Sequence, residues 1–450
     1  MLMAELEHQV MRKVAWRIGP LMASAFLFNY LDKINLGFAA LSMNRQLGLS
    51  NADFGVAAGI FAISYALFAV PSTLLLRKIG ARRAIALMMI VWGCCSAMMA
   101  LVTTARELML ARFLLGIAEA GFAPGAVVYF SDWFPQAYRG RAIANFVAMA
   151  PLGIVVGGPL SSAILSLDRA LGVAGWQWLF IVEALPTLLL AVVLFVWLLD
   201  RPADARWLND EEKSWLAGQL ASEKAMIQQG QDPVPAWRIL ADGRVWMLAT
   251  VVLVLSTAGV GAVYFMPLII RSMGFSSWTT GFATTLPGIA ATVATPLWGY
   301  WTDRAARREH VVAAGLIVTA AGLLATAMLL PSPWALVPLA AAFAAYCGCT
   351  ASVYTLPSAF LTGASAAACI ALVNIVGNLG AFTGPAVLGR AADITGSYRA
   401  GLVVLAVPAA IATAIMGVLA QRTRRQAAAA PGEGSRIKAP VSSARRRSGR

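Results

Sequence analysis

Charge is scarce in this chain. Of 450 residues, 12% are Asp, Glu, Lys or Arg, 59% are hydrophobic, and the mean hydropathy is +0.72. A soluble domain carries about 25% charged residues, so a water-soluble globule of this length would leave more apolar surface than it could hide. Histidine is nearly absent, with only His8 and His310. No apolar run therefore holds a His-based acid–base pair, a metal cluster or a nucleophile–His arrangement, which argues against a membrane-embedded enzyme. Cysteine is limited to Cys94, Cys95, Cys347, Cys349 and Cys369. All five lie in apolar runs and read as small buried fillers, not as a disulfide framework or a metal site. Disorder, collagen-like repeats and a secreted scaffold are excluded as well. The remaining class is a polytopic membrane protein, with the lipid bilayer as its solvent.

The formal net charge is +14. A basic balance invites a nucleic-acid reading, but most of the excess sits in residues 421–450, where nine Lys or Arg face one acid, Glu433. That stretch is rich in Ala, Ser, Gly and Pro and is expected to be a disordered cytoplasmic tail. Anionic headgroups suit it better than nucleic acid, because no aromatic residues interleave the basic ones.

Twelve apolar runs are long enough to cross about 30 Å of hydrocarbon. They fall near 17–40, 54–76, 84–104, 108–130, 142–165, 178–199, 245–269, 281–301, 311–330, 334–360, 367–391 and 400–420. The first is no cleavable signal, since it runs on through Asp32-Lys33 without a cleavage site. With the N-terminus inside, the cytoplasmic segments hold 27 Lys or Arg and the opposite side six. This places both termini in the cytoplasm. The organisation expected is an all-α membrane protein of twelve transmembrane helices. Residues 1–199 form an N-terminal six-helix bundle, 200–244 a cytoplasmic central loop with an amphipathic helix at 209–224, 245–420 a second six-helix bundle, and 421–450 the basic tail.

The halves match in sequence. Pro71, Arg82 and Arg83 correspond to Pro296, Arg307 and Arg308 at an offset of 225, Val128-Tyr129 to Val353-Tyr354 at the same offset, and Gly158-Pro159 to Gly384-Pro385 at 226. One nearly constant offset at three places indicates an internal duplication. Two similar bundles around a central cavity are the geometry of alternating access.

Within the spans, four ionisable residues stand out: Asp32, Lys33, Arg112 and Glu119, all in the first half. Each costs roughly 2.5–3.5 kcal/mol at mid-depth by insertion scales. Arg112 and Glu119 are seven apart, on one helix face, whereas the adjacent Asp32 and Lys33 point about 100° apart. One reading is structural ion pairing that closes the bundle. The other is a cavity with a cation for a substrate anion and a carboxylate that takes a proton. Glu183, near the end of a span, reads as interfacial. Asn374 and Asn378 share a face of the eleventh span. Tyr30, Tyr65, Tyr264 and Tyr354 add hydroxyls at cavity depth, where the same groups also serve as interhelical hydrogen bonds. Gly121-x3-Gly125, Gly153-x3-Gly157 and Gly380-x3-Gly384 permit close helix contact.

Gly299-x3-Asp303-Arg304-x2-Arg307-Arg308 resembles the cytoplasmic loop motif of the major facilitator superfamily. The first-half copy departs from it, with Arg77 and Lys78 where an acid is usual. A finer resemblance is to the anion:cation symporter family, including bacterial tartrate, phthalate and hydroxyphenylacetate permeases. It rests on the blocks 29–39, 112–125, 175–180, 201–208 and 374–380 in the order found there. The resemblance implies the major facilitator fold of two pseudo-symmetric six-helix bundles. It also implies proton-coupled uptake of a small organic anion across a bacterial inner membrane by a protein that is not an enzyme, with protons as the coupling ion, no other cofactor and a monomeric state.

In the galactonate and glutamate branches, the acids matching Asp32 and Glu119 carry proton coupling. The arginine matching Arg112 is paired with the Glu119 position, and the basic residue matching Lys33 meets substrate. Tyrosines matching Tyr30 and Tyr65 and an asparagine near Asn374 or Asn378 line the site. Tyr264 and Tyr354 are further substrate-binding candidates from the residues themselves, and Asp303, Arg304, Arg307 and Arg308 would gate. Lys33 replaces the more usual Arg, keeping the charge without the bidentate fork. Gly153-x3-Gly157-Gly158-Pro159 resembles an antiporter-associated motif and keeps efflux open as an alternative.

Overall fold

The computed structural model describes residues 2–229, 240–305, 307–357, 361 and 363–429. Among these there are helices and connecting turns but no strand. The first half comprises α1 (Leu2–Gln46), α2 (Asn51–Ile79), α3 (Ala81–Met98), α4 (Ala105–Glu119), α5 (Phe122–Trp133), α6 (Gln136–Val147), α7 (Met149–Leu165) and α8 (Gly175–Trp197). A connecting helix, α9 (Asp210–Gln229), follows. The second half comprises α10 (Gly243–Ser272), α11 (Ser277–Ala283), α12 (Thr285–Arg304), α13 (Arg308–Leu329), α14 (Leu336–Val353), α15 (Gly363–Thr395) and α16 (Tyr398–Ala429).

Ten stretches are long and apolar enough to cross a bilayer, among them α4–α5 and α6–α7 read as continuous pairs. The first and eighth spans are filled by α1, whose polar N-terminal turns precede its apolar part, and by α11–α12, which is rich in Thr, Trp and Tyr. Ends follow local chemistry. Ser50 and Asp53 cap α2 reciprocally, and Thr104 and Ser276 cap α4 and α11 by accepting first-turn N–H groups. Two expectations shift. The amphipathic run at 209–224 extends through Gln229, and α16 runs to Ala429, nine residues into the stretch expected to be disordered. Gln, Arg and Ala dominate that extension and favour helix. Residues 430–450 lie outside the described residues.

Among the described residues, the close backbone contacts between the halves gather toward one end. Asp393 of α15 accepts from the Asn51 N–H, the Asn51 amide and the Ala52 N–H (3.0, 2.8 and 2.8 Å), a carboxylate at the open first turn of α2. Tyr398 donates to Asn51 (3.1 Å), and the rings of Phe54 and Phe265 cross edge-on at 5.0 Å. Gly55 abuts the backbone at Pro385, Gly37 the Tyr264 carbonyl, and Gly158 of α7 the Gly281 carbonyl of α11. Toward the other end, which carries the N-terminus, Leu67, Val70, Leu74, Ile289, Val293 and Leu297 are exposed. A cavity of about 1390 Å³ opens at that end within the first half, beside α1 and lined by His8, Arg12, Tyr138 and Arg141 among others.

The segment after α8 is docked on the first half. Trp207 stacks on Trp133 at 5.8 Å with Arg17 over its other reach, Lys13 pairs with Glu212 at 2.7 Å, and Arg139 with Glu223 at 3.1 Å. Asp200 accepts from the Arg82 N–H (2.9 Å) beside Gly80. An acid from the end of the sixth span thus stands at the loop where the first-half motif lacks its own.

Candidate functional site

The four intramembrane charges converge inside the first half. α1 brings Asn29, Asp32 and Lys33 together within little more than one turn, Asn29 and Lys33 on one face and Asp32 turned away from it. Lys33 turns toward α4: its Nζ is 3.3 Å from Glu119 Oε2 and donates to Asn29 Oδ1 at 2.8 Å. Asn29 Nδ2 donates to the same Glu119 oxygen at 2.7 Å. Glu119 is fully buried, and its Oε1 has no protein partner. It stands on the last residue of α4, where the span is interrupted at Ala120-Gly121 before α5. A Cβ on Gly121 would collide with Ser72 and Met88, so glycine permits the close approach that closes this pocket. Asp32 turns the opposite way, accepting from Ser96 of α3 at 2.8 Å and leaving Oδ2 unpartnered.

Arg112 is 0% exposed and does not pair with Glu119, contrary to the expectation taken from the resemblance. The two share a face but stand about 10.5 Å apart along the axis. Arg112 instead crosses to the second half, where its Nη2 donates to the Tyr264 hydroxyl at 2.9 Å. Its guanidinium lies over Phe61 (4.7 Å) and Tyr264 (5.5 Å), and Lys33 lies over Phe61 (5.6 Å) and Tyr65 (5.4 Å). Nε and Nη1 of Arg112 have no protein partner. The pocket therefore holds two cations against aromatic faces, with unsatisfied donors beside an acid that one of those cations holds.

The remaining candidates divide. Tyr30, Tyr65 and Tyr264 belong to this region, and Tyr30 lies within electrostatic reach of Tyr264 and Tyr346. Tyr354 does not join them. It caps the far end of α14 and packs on the second-half core, while Tyr346, two turns earlier, faces Gly259 and the Tyr264 side. Asn378 donates to the Asn374 side chain and carbonyl, both at 2.9 Å. These asparagines continue the α15 stripe of Phe382 and Pro385, which meets Gly59 and Gly55, so they face the gap between the halves. Asp303, Arg304, Arg307 and Arg308 lie at the open end, with Arg304 over the Tyr300 ring at 3.7 Å. Among the described residues none of the four is in an ion pair. Glu183 is not interfacial: it is 5% exposed in the bundle interior, where Ser161 donates to it at 3.3 Å. Asn29, Ser96, Phe61 and Tyr346 were not singled out by sequence reasoning. The spacing of Asn29 from Lys33, four residues on one face of an apolar run, was the available signal for the first.

Comparison with known proteins agrees with this architecture. The family model described as Major Facilitator Superfamily matches residues 22–283 and 277–449. A protein of Agrobacterium vitis named "Putative tartrate transporter" is 41% identical over 405 residues, 88% of each chain. The quinolone resistance transporter of Acinetobacter baumannii is 37% identical, covering 90% of this chain and 93% of that one. Among solved structures, a bacterial homologue of the human lysosomal transporter Spinster superposes with a TM-score of 0.72 at 20% identity, over 92% of this chain and 98% of that one. The D-xylose-proton symporter gives 0.71 at 17%, over 91% and 98%. On this sequence match and this fold, the chain belongs to the Major Facilitator Superfamily and is one of its membrane transporters.

Proposed function

We propose that this protein takes up a small organic acid anion together with protons by alternating access, as a monomer in a bacterial inner membrane with both termini in the cytoplasm. The substrate class is a tartrate-like hydroxy acid or an aromatic carboxylate such as phthalate or hydroxyphenylacetate. The observation that carries this reading is the pairing of partly exposed Lys33 with fully buried Glu119, beside an Arg112 with two free nitrogens. When Glu119 takes a proton, Lys33 loses its internal counter-ion and, with Arg112, presents uncompensated positive charge in a low-dielectric pocket. A carboxylate restores neutrality. The loaded pocket carries little net charge, so closing the protein around it costs less than closing around bare cations. Asp32 offers a second carboxyl for a proton. The names of relatives point to carboxylate-bearing cargo: one at 41% identity is called "Putative tartrate transporter" and one at 37% "Quinolone resistance transporter". The cationic pocket selects an anion, and uptake is the direction implied by the resemblance to anion:cation symporters. Gly153 and Gly157 are accounted for by packing against Tyr30, Leu31 and Ile34 of α1, without invoking an efflux motif.

The reading is tested with reconstituted protein and labelled tartrate, phthalate and hydroxyphenylacetate under an inward proton gradient. Accumulation of at least one of them is expected. Flux only in the opposite sense would establish efflux instead. Lys33→Ala is expected to weaken substrate binding about tenfold or more, since a charged hydrogen bond contributes roughly 1.5–3 kcal/mol. Unchanged affinity would remove Lys33 from the site.

A further inference from the structure

Glu183 is a buried acid that the transport scheme above does not use. It lies two turns into α8, which packs against α1 and α3. Its neighbours are unusual for a structural carboxylate. Ser161 of α7 donates to Oε1, while Oε2 has no partner. The Asn35 amide of α1 stands beside it, and both Asn35 Nδ2 and Oδ1 lack a partner of good geometry. Asp32, one turn earlier on α1, is within electrostatic reach of Glu183 and likewise has one free oxygen, Oδ2. Around Asp32 stand Ser96 and Trp92 from α3 and, farther off, Arg112 and Glu119 from α4. Among the described residues no Lys or Arg is ion-paired with Glu183.

This environment differs from that of Glu119, which a lysine holds. Two buried carboxyl groups near each other without a shared cation are disfavoured when both are ionised. A hydroxyl and an amide serve either protonation state, because each can donate to a carboxylate or accept from a carboxylic acid. Position adds direction. Asn35 is one turn nearer than Asp32 to the end where the halves are closed, and Ser161 is four residues from the end of α7 there. The next residue, Ser162, donates to the Ser277 carbonyl across the seam.

We propose that Glu183 is a proton-transfer station that serves Asp32 from the seam end of the first bundle. A proton leaves Glu183 Oε2 and reaches Asp32 Oδ2 through a water molecule. The Glu183 carboxylate left behind regains a proton from water admitted when the seam parts. Glu183 thus acts through Asp32 and does not touch the transported anion. The inference rests on the proton-coupled reading above.

The test compares Glu183→Gln with wild-type protein in proteoliposomes, at clamped membrane potential, over external pH 5.5–8. The initial rate of acid-driven uptake is expected to fall about tenfold, while the final accumulation ratio, set by the number of coupled protons, stays within about twofold. Glu183→Asp, which keeps an ionisable group one methylene shorter, is expected to recover most of the rate. A Glu183→Gln rate within twofold of wild type across the pH range overturns the station. So does a loss of rate matched by an equal loss of binding affinity and thermal stability, or a failure of Asp to recover what Gln loses. If the Gln variant does not reach the membrane, Ser161→Ala carries the comparison: slowed acid-driven uptake with its pH profile displaced supports the station, and an unmoved rate and profile overturn it. A wild-type protein indifferent to the pH gradient would instead fail the proton-coupled reading, a result distinguishable from failure of Glu183 alone.

Discussion

Glu119→Gln is expected to lower pH-driven accumulation about 100-fold across a gradient of roughly two pH units. Gln keeps the size and hydrogen-bonding capacity of a protonated Glu but can neither lose nor regain a proton. Asn29 still finds an acceptor in it, and Lys33 loses its buried counter-ion, as it would after protonation. The variant therefore resembles the protonated state permanently. Across a gradient of about two pH units, one coupled proton supports at most an ~100-fold concentration ratio, since each 1.4 kcal/mol is a factor of ten. Removing one proton from the cycle should lower the ratio by about that factor, while exchange of labelled for unlabelled substrate falls much less. Tracer accumulation in proteoliposomes at clamped potential reads this directly. Full accumulation by the variant would take the proton role away from Glu119.

The pair that this substitution breaks was only partly legible in the sequence. Four charges in apolar runs announced a functional pocket because lipid makes them costly. Which of them touch depends on helix packing, which spacing on one helix does not reveal. Arg112 and Glu119 share a face, yet each meets a different partner, Glu119 meeting Lys33 of α1 and Arg112 meeting Tyr264 of α10. Lys33 reaches Glu119 by the length of its side chain, because α4 packs on α2 and α3 and not directly on α1. Glu183 was misread for a related reason: depth was counted from the edge of an apolar run, whereas α8 begins at Gly175 and α1, α3 and α7 close over it. Tyr354 reads from the sequence as a hydroxyl at cavity depth, and it also repeats Tyr129 at the duplication offset. Tyr129 bonds the Leu199 carbonyl at 3.0 Å, a structural contact near the open end, and Tyr354 occupies the equivalent helix end. Position along an apolar run does not tell which hydroxyls line the pocket, and these two do not.

The other repeated element, Gly158-Pro159 with Gly384-Pro385, leads to the second large effect. Gly158 of α7 lies against the Gly281 carbonyl and Thr284, and Gly281 lies against the Gly158 carbonyl and Ser162. On the opposite seam Gly55 of α2 lies against the Pro385 carbonyl of α15. Gly55 and Gly281 are themselves 226 residues apart, the offset of the glycine–proline pairs. The duplication has therefore placed a glycine-on-backbone contact on each side of the closed end. Such a contact has no side chain that can rotate out of the way, so a wedge must part the helices. Gly158→Leu is expected to cost the closed seam about 3 kcal/mol, the upper end for overpacking. By population arithmetic that shifts the balance roughly 100-fold toward the state open at this end. A transporter must visit both states, so uptake should fall at least about tenfold. The accompanying change separates a gate defect from misfolding. In a background lacking the five native cysteines, an S162C label site, buried at the seam, should become reactive to a membrane-impermeant maleimide. Wild-type uptake with an unreactive label site would show that these paired glycine contacts merely pack the helices and do not form the gate.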